Sequence, residues 1–334
     1  MPLETLILDI LTFFCIYAIF TMSLNFQMGY TGIFNLGLYL PIIAGAMIVA
    51  YVPNRLAMQI YNITGLDFIE NNAIVITQLR EHLQRDPTTS MFLLLITLLL
   101  VIIVSAIIGY VVAHPALRLP ANYLALFTLC IAETGRVIST QTYWIAGGPV
   151  GIAIIVPFWW LPNPYYGTAI FTILVSILIF LIYIKLSNSP FGRVLKAIRE
   201  NQDTAESIGH NVSLIKKEVM VISSIFLGIG GALHAFDMGA VIADGYNRVD
   251  FSFWPWLMLI VGGAGNNVGV LLGTFILVLM RRIMITSKHY FASFLPFDVI
   301  WLEPILLSIM LALTLIYRSE GILPEKVTKK KKTE

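Results

Sequence analysis

The chain has 334 residues, of which 58% are hydrophobic and 12% charged, with a formal net charge of +2. Soluble domains carry about 25% charged residues, so this composition excludes an ordinary water-soluble protein, and the small net charge points to no nucleic-acid partner. With a mean hydropathy of +0.84, the chain reads as an all-α, polytopic transmembrane helical bundle.

A membrane-crossing helix needs about 20 mostly apolar residues to span a hydrocarbon core roughly 30 Å thick. In chain order, residues 6–28, 33–52, 91–113, 122–144, 167–186, 218–240 and 299–317 meet that requirement, about seven full spans. The first is expected to be retained, because Glu4 and Asp9 stand where a cleavable signal has basic residues and no small-residue cleavage site follows. Cys15 and Cys130 fall inside apolar stretches without metal-ligand spacing and read as small packing residues. Residues 53–90, with Arg55, Asp67, Glu70, Arg80, Glu81, Arg85 and Asp86, read as an extended extracytoplasmic loop. Trp159, Trp160, Tyr165 and Tyr166 flank prolines where an interfacial aromatic belt would sit.

Residues 251–285 are too long for one upright span. Their middle, Gly262-Gly-Ala-Gly-Asn-Asn-Val-Gly269, reads as a turn between two short helices, with Gly262, Gly263 and Gly265 in the turn of a hairpin. Gly228, Gly230 and Gly231 have a packing explanation, since small residues let membrane helices approach closely. The glycine-rich turn lacks the Gly-Lys-Ser/Thr ending of a phosphate-binding loop, so no nucleotide or other cofactor is expected in this chain, and no metal site. The sequons at Asn62 and Asn211 are weak signals, and only the first lies on the expected outer side.

The positive-inside rule sets the orientation. Lys185, Arg193, Lys196, Arg199, Lys216 and Lys217 place residues 187–217 in the cytoplasm, and the basic tail 325–334, with lysines at 329–332, belongs there too. The amino terminus and residues 237–250 then lie outside. Only a hairpin that returns to the outer face brings the tail inside, and it leaves Arg281, Arg282 and Lys288 outside. Residues 1–324 make one transmembrane domain.

The segment from Ser189 to Lys217 reads SPFGRVLKAIRENQDTAESIGHNVSLIKK. A Pro–Phe–Gly turn leads into an amphipathic pattern in which Val194, Leu195, Ala197 and Ile198 alternate with Arg193, Lys196, Arg199 and Glu200, and Gly209 ends the helical pattern. A short cytoplasmic helix of this kind suits docking on a soluble partner; the plainer reading is a solvated basic loop that enforces topology.

The run GRVLKAIREN, then Ala205 and Gly209, then Lys216, then the small-residue run from Gly228 to Leu233, resembles the permeases of branched-chain amino acid ABC importers, LivM type. Leu117-Arg-Leu119, Tyr123 to Leu129 with Glu133, Gly262 to Asn266 with Gly269 and Gly273, and Gly321-Ile-Leu-Pro324 fall in family order, so the likeness runs from about residue 29 to 324. The resemblance implies a transmembrane permease subunit that is not itself an enzyme. Its implied partners are a second homologous permease, two cytoplasmic ABC ATPase subunits on which ATP is hydrolysed, and an extracytoplasmic solute-binding protein, in a plasma membrane. By the same resemblance Gly192, Arg193, Arg199, Glu200, Asp203, Ala205, Glu206 and Gly209 occupy the ATPase-coupling loop. The cargo implied is a branched-chain or related amino acid, with urea or short amides as the alternative. Residues 53–90 are longer than in the family, and Pro149 stands where a polar residue is expected.

Ionisable residues inside spans are costly and mark candidate pathway positions. Glu133 and Arg136 are spaced i,i+3 on one helix side, and with Gln141 they make 122–144 the most polar span; the plainer reading is an ion pair kept for packing specificity. His234 is the remaining path candidate, though a lone histidine there is more often a helix contact. Two other classes fit the residues less well. An intramembrane enzyme would use Glu133, His234 or Asp237, but no nucleophile motif or metal spacing supports it. An ion-driven secondary transporter would show broken helices in matching halves.

Overall fold

The computed structural model describes residues 3–286, 302–317 and 321–325. Helix α1 (Leu3–Leu24) runs into a π-turn at Asn25–Gly29, followed by α2 (Tyr39–Ile60), α3 (Asn72–Arg85), α4 (Pro87–Ala116), α5 (Ala121–Gln141) and the single turn α6 (Tyr143–Ala146). Then come α7 (Pro164–Asn188), α8 (Pro190–Glu200), α9 (Gln202–Ser207), α10 (Val212–Met238), α11 (Trp254–Gly262), α12 (Asn267–Thr286) and α13 (Leu302–Tyr317). A two-residue pair of strands, β1 (Ile152–Ala153) and β2 (Ala240–Val241), runs antiparallel with Ile152 opposite Val241. Among the described residues six helices are long and apolar enough to cross a membrane: Glu4–Gly29, Tyr39–Ile60, Pro87–Ala116, Pro164–Asn188, Val212–Met238 and Asn267–Ile285. The chain is an all-α polytopic membrane bundle, as composition predicts.

The core is built around α1, α2 and α10, whose large side chains Tyr17, Phe20 and Tyr39 are fully buried. Lipid offers no hydrophobic drive for helix association, so close approach at small residues carries the packing. A Cβ on Gly231 would stand 2.1 Å from the Ile42 carbonyl oxygen, and one on Gly45 2.1 Å from that of Gly228. On its other flank α10 meets α4, where Gly228 sits against Ser105 and Gly109 against Ser224. Gly230 faces Phe20 of α1. At the periphery α4 and α7 turn apolar side chains outward, among them Leu95, Leu99, Ile107, Leu174 and Leu178. Such a surface fits lipid.

The segments that depart from expectation do so for local reasons. The span expected at 33–52 begins only at Tyr39 and runs on to Ile60. Gly32 takes φ +74°, and the Asn35 side chain accepts from the Gly37 N–H at 2.7 Å, a local bond that competes with helix. Residues 32–38 therefore cross the interior as irregular backbone, held by protein: the Leu36 N–H donates to Thr128 Oγ1 (3.2 Å), Ser252 donates to the Leu36 carbonyl (2.8 Å) and Trp256 to the Asn35 carbonyl (3.0 Å). This is the condition under which non-helical chain is tolerated at membrane depth.

Residues 53–90 are mostly helical rather than an extended loop. Their charges hid a stripe of Val75, Leu79 and Leu83, all fully buried, while Arg80, Glu81 and Arg85 stay exposed. Asn72 makes two bonds to the Ala153 backbone, 2.9 and 3.2 Å, and the buried Asn54 accepts from the Ile155 N–H at 3.0 Å. Of the belt aromatics, Trp159 packs into the core instead of lining its edge.

The hairpin of 251–285 has unequal arms. Its first is the shorter apolar helix Val249–Gly262, whereas its second, α12, is long enough to span. Gly263 (φ +107°) and Gly265 (φ +82°) make the turn, in conformations that a side chain disfavours. The Arg281–Asp250 ion pair closes the open end, and Arg282 pairs with Asp9 of α1. Both arginines expected outside thus have carboxylate partners. The expected span 299–317 is described from Leu302 as a 16-residue helix; Lys288 and the tail beyond Glu325 lie outside the described residues.

Candidate functional site

Two regions combine polar chemistry with exposure. The first lies between α7 and α10. Ser189 caps α8, its Oγ accepting from the Gly192 N–H at 3.4 Å, and Pro190 holds the first helical position. Asn201 and Asn211 cap α9 and α10 in the same way, each at 3.0 Å. Between them Gly209 (φ +93°) closes α9, with bonds from the Gly209 N–H to the Glu206 carbonyl (2.9 Å) and from His210 to Ala205 (3.1 Å). That pattern is a Schellman stop, which requires a left-handed residue. Gly192 allows the tight bend after α7, since a Cβ there would meet the Ser187 carbonyl oxygen at 2.2 Å.

Ile198, Ala205 and Val212 form a small core of their own, flanked by Val194 and Ile215. Burying Ile198 and Val212 contributes about 1.5–3 kcal/mol each and the Ala205 methyl about 0.8 kcal/mol, enough to hold α8 and α9 as one unit against the root of α10. The outer surface of the unit carries Arg193, Glu200, Asp203, Glu206 and Gly209. Ile208, 67% exposed beside Gly209, joins them. The Schellman turn at Gly209 makes Ile208 project.

Arg199 does not belong to that outer surface. Its guanidinium turns toward the bundle, donating to the Gly29 carbonyl and to Glu325 Oε2 (2.6 Å), while Lys196 Nζ lies 2.7 Å from Glu325 Oε1. Burial opposes charge on Glu325, but the bonds from Lys196 and Arg199 outweigh it and hold the carboxyl below the usual carboxylate range. The hairpin turn joins this end of the bundle, for a Cβ on Gly265 would stand 2.9 Å from Glu325 and 3.0 Å from Arg199.

The second region is α5. Its 21 residues are long enough to cross, yet its outer stripe mixes Tyr123, Leu126 and Ile138 with Cys130, Thr134 and Gln141, all exposed. Arg136 donates to Glu133 Oε1 from Nε (3.0 Å) and Nη2 (2.6 Å), and to Asp244 Oδ1 from Nη1 (2.5 Å). The Tyr39 hydroxyl, at the start of α2, donates to Glu133 Oε2 at 3.0 Å. The expected pair is therefore a triad reaching across 108 residues of sequence to Asp244, which is 64% exposed. A face with such charges is costly against lipid, in contrast to the outer faces of α4 and α7.

His234 does not join that triad. It is buried against the rings of Tyr246 (5.8 Å) and Phe251 (5.2 Å), with no hydrogen-bond partner for Nδ1 among the described residues. Asp237, one turn further along α10, has an unpartnered buried oxygen among the described residues. No group of three or more His, Cys, Asp or Glu side chains among the described residues is placed to hold a metal ion.

A bundle of apolar membrane-length helices with a polar outer face on α5 and a helical unit between two spans defines a polytopic membrane protein. The chain belongs to the family described as branched-chain amino acid transport system, permease component, which it matches over residues 6–317. It is 32% identical over 325 residues to the probable branched-chain amino acid transport permease protein LivM of Methanocaldococcus jannaschii, covering 96% of this chain and 94% of that one. It is also 27% identical over 248 residues to the high-affinity branched-chain amino acid transport system permease proteins LivM of Salmonella typhimurium and Escherichia coli, covering 66% of this chain and 55% of each of those. No solved structure matches it significantly.

Proposed function

We propose that this chain is one membrane subunit of an ATP-driven importer for branched-chain or related amino acids. In this reading it pairs with a second permease, rests on two cytoplasmic ATPase subunits and receives cargo from an extracytoplasmic solute-binding protein. The observation that carries the proposal is the α8–α9 unit, rigid in itself, rooted on α10 and presenting Arg193, Glu200, Asp203, Glu206 and Ile208 outward. A rigid unit can act as a lever, which unstructured chain cannot. Its charges set register on a partner, while an exposed apolar side chain such as Ile208 supplies an anchor.

The distribution of cations supports an orientation. Lys185, Arg193, Lys216 and Lys217 gather at the α8 end, whereas Arg136, Arg281 and Arg282 at the opposite end have carboxylate partners. The α8 end is the cytoplasmic one in this reading. The exposed stripe of α5 faces the second permease across the translocation path, with Glu133, Arg136 and Gln141 toward water.

Ile208→Asp tests the docking surface without backbone strain. It should lower substrate-stimulated ATP hydrolysis of the assembled transporter about tenfold, the effect of losing roughly 1.4 kcal/mol at a contact centre, while the chain inserts normally. Gly209→Val should act in the same direction by straining the turn. Wild-type stimulated hydrolysis in Ile208→Asp would remove this surface from the coupling path. Competition of uptake by leucine, urea and acetamide separates the cargo classes.

A further inference from the structure

Beyond α13 the chain returns to the hairpin. The Ile322 N–H donates to the Val261 carbonyl at 2.9 Å and the Leu323 N–H to the Gly262 carbonyl at 3.2 Å. These belong to the last turn of α11, whose carbonyls have no intrahelical partner. Asn266 in the turn donates to the Leu323 carbonyl at 3.2 Å. Gly321 (φ +81°) lies so close to Gly263 that a Cβ would stand 2.5 Å from its backbone. Glu325 is thereby delivered into the gap between the hairpin turn and α8.

There it meets two cations of α8, Lys196 at 2.7 Å and Arg199 at 2.6 Å, and Arg199 also reaches the Gly29 carbonyl at the end of the α1 π-turn. The hairpin turn is tied to the membrane body by a separate set of bonds. Asn25 accepts from the Gly265 N–H (2.8 Å) and donates to Asn267 (2.9 Å), which donates to Ser187 (2.9 Å). An open cavity of about 570 Å³, lined by Tyr30, Asn188, Lys196, Asn266, Asn267 and Glu325 among others, adjoins the contact. On that side α8 and the turn are joined by charge-assisted bonds across open space rather than by packing.

We propose that Glu325 is a positioning residue for energy coupling, clasping α8 to the hairpin turn so that displacement of α8 moves the turn and the end of α1 with it. The proposal rests on the reading of α8–α9 as the ATPase-docking unit. Without the clasp α8 keeps its packing on the end of α1, where Phe191 meets Phe26 at 6.4 Å, but loses its charge-assisted tie to the hairpin and would tilt without carrying it. Charge-assisted contacts suit this task because they keep direction as well as strength.

The test is transport per ATP hydrolysed in proteoliposomes holding the assembled transporter and its binding protein. Glu325→Gln should leave ATPase recovery and basal hydrolysis unchanged yet lower transport per ATP at least about fivefold, the lower end of typical coupling effects. Glu325→Asp should fall between the two. As a second readout, Lys196→Cys with Glu325→Cys, made with Cys15 and Cys130 replaced, should be uncoupled when reduced and recover when a short bis-methanethiosulfonate, losing sulfinate at each end, bridges the pair through two disulfides. Wild-type transport per ATP in Glu325→Gln, or no recovery on bridging, overturns the clasp. Failure of the wild-type chain to recover any ATPase overturns the docking reading itself, and the clasp with it.

Discussion

Arg136→Glu is expected to abolish uptake while the protein still reaches the membrane. The guanidinium is shared between Glu133 and Asp244, and its reversal sets three carboxylates against one another beside Tyr39. Asp244 is well exposed, so much of the repulsion is relieved by water and fold stability changes modestly. The geometry of the path is another matter, because α5 loses its tie to residues 243–245. A loss of uptake of about 100-fold is expected, comparable to an allosteric coupling of roughly 3 kcal/mol, and Arg136→Lys should restore part of it. Exchange of the pair, Glu133→Arg with Arg136→Glu, should recover less, since Tyr39 and Asp244 keep their places. Radiolabelled amino-acid uptake at several concentrations checks this, and wild-type uptake in Arg136→Glu would reduce the triad to a packing device.

The second large effect is on stability. Gly231→Ala is expected to lower the unfolding midpoint of the purified protein sharply, because the new methyl would stand 2.1 Å from the Ile42 carbonyl oxygen, a backbone atom that cannot rotate away. Overpacking typically costs 1–3 kcal/mol, and a backbone clash between two central helices belongs at about 3 kcal/mol. Gly245→Ala is the control, with nothing within 4 Å of its Cβ and no left-handed backbone. Equal midpoints for the two variants would show that α2 and α10 can separate without loss.

Much of the membrane fold was legible because it depends on local composition. A run of apolar residues long enough to cross a bilayer announces itself, and so does the Gly209 stop, whereas the caps Ser189, Asn201 and Asn211 came only with the structure, which makes the expected Pro–Phe–Gly turn the first turn of α8. The break at residues 32–38 was hidden because Ile33, Phe34, Leu36 and Leu38 keep the average hydropathy high while Asn35 and the flanking glycines divert the backbone. Helix α3 was hidden by the opposite effect, its charges masking three buried positions at i, i+4 and i+8.

Partners distant in sequence were not legible at all. Nothing near Arg199 announces Glu325, 126 positions away. From the pattern alone both arginines of α8 read as partner-facing, yet only Arg193 is exposed. Likewise Glu133 and Arg136 were readable as a pair from their spacing, whereas Asp244 and Tyr39 come from elements that only the tertiary fold brings to α5.

The most direct test of the account is to purify this chain from its native membranes in mild detergent and identify what comes with it. One or two ABC-type ATPases and a second permease are expected in stoichiometric amounts, with the ATPases held more weakly by Ile208→Asp. Recovery of the chain alone, repeated after lipid-preserving extraction, would contradict it.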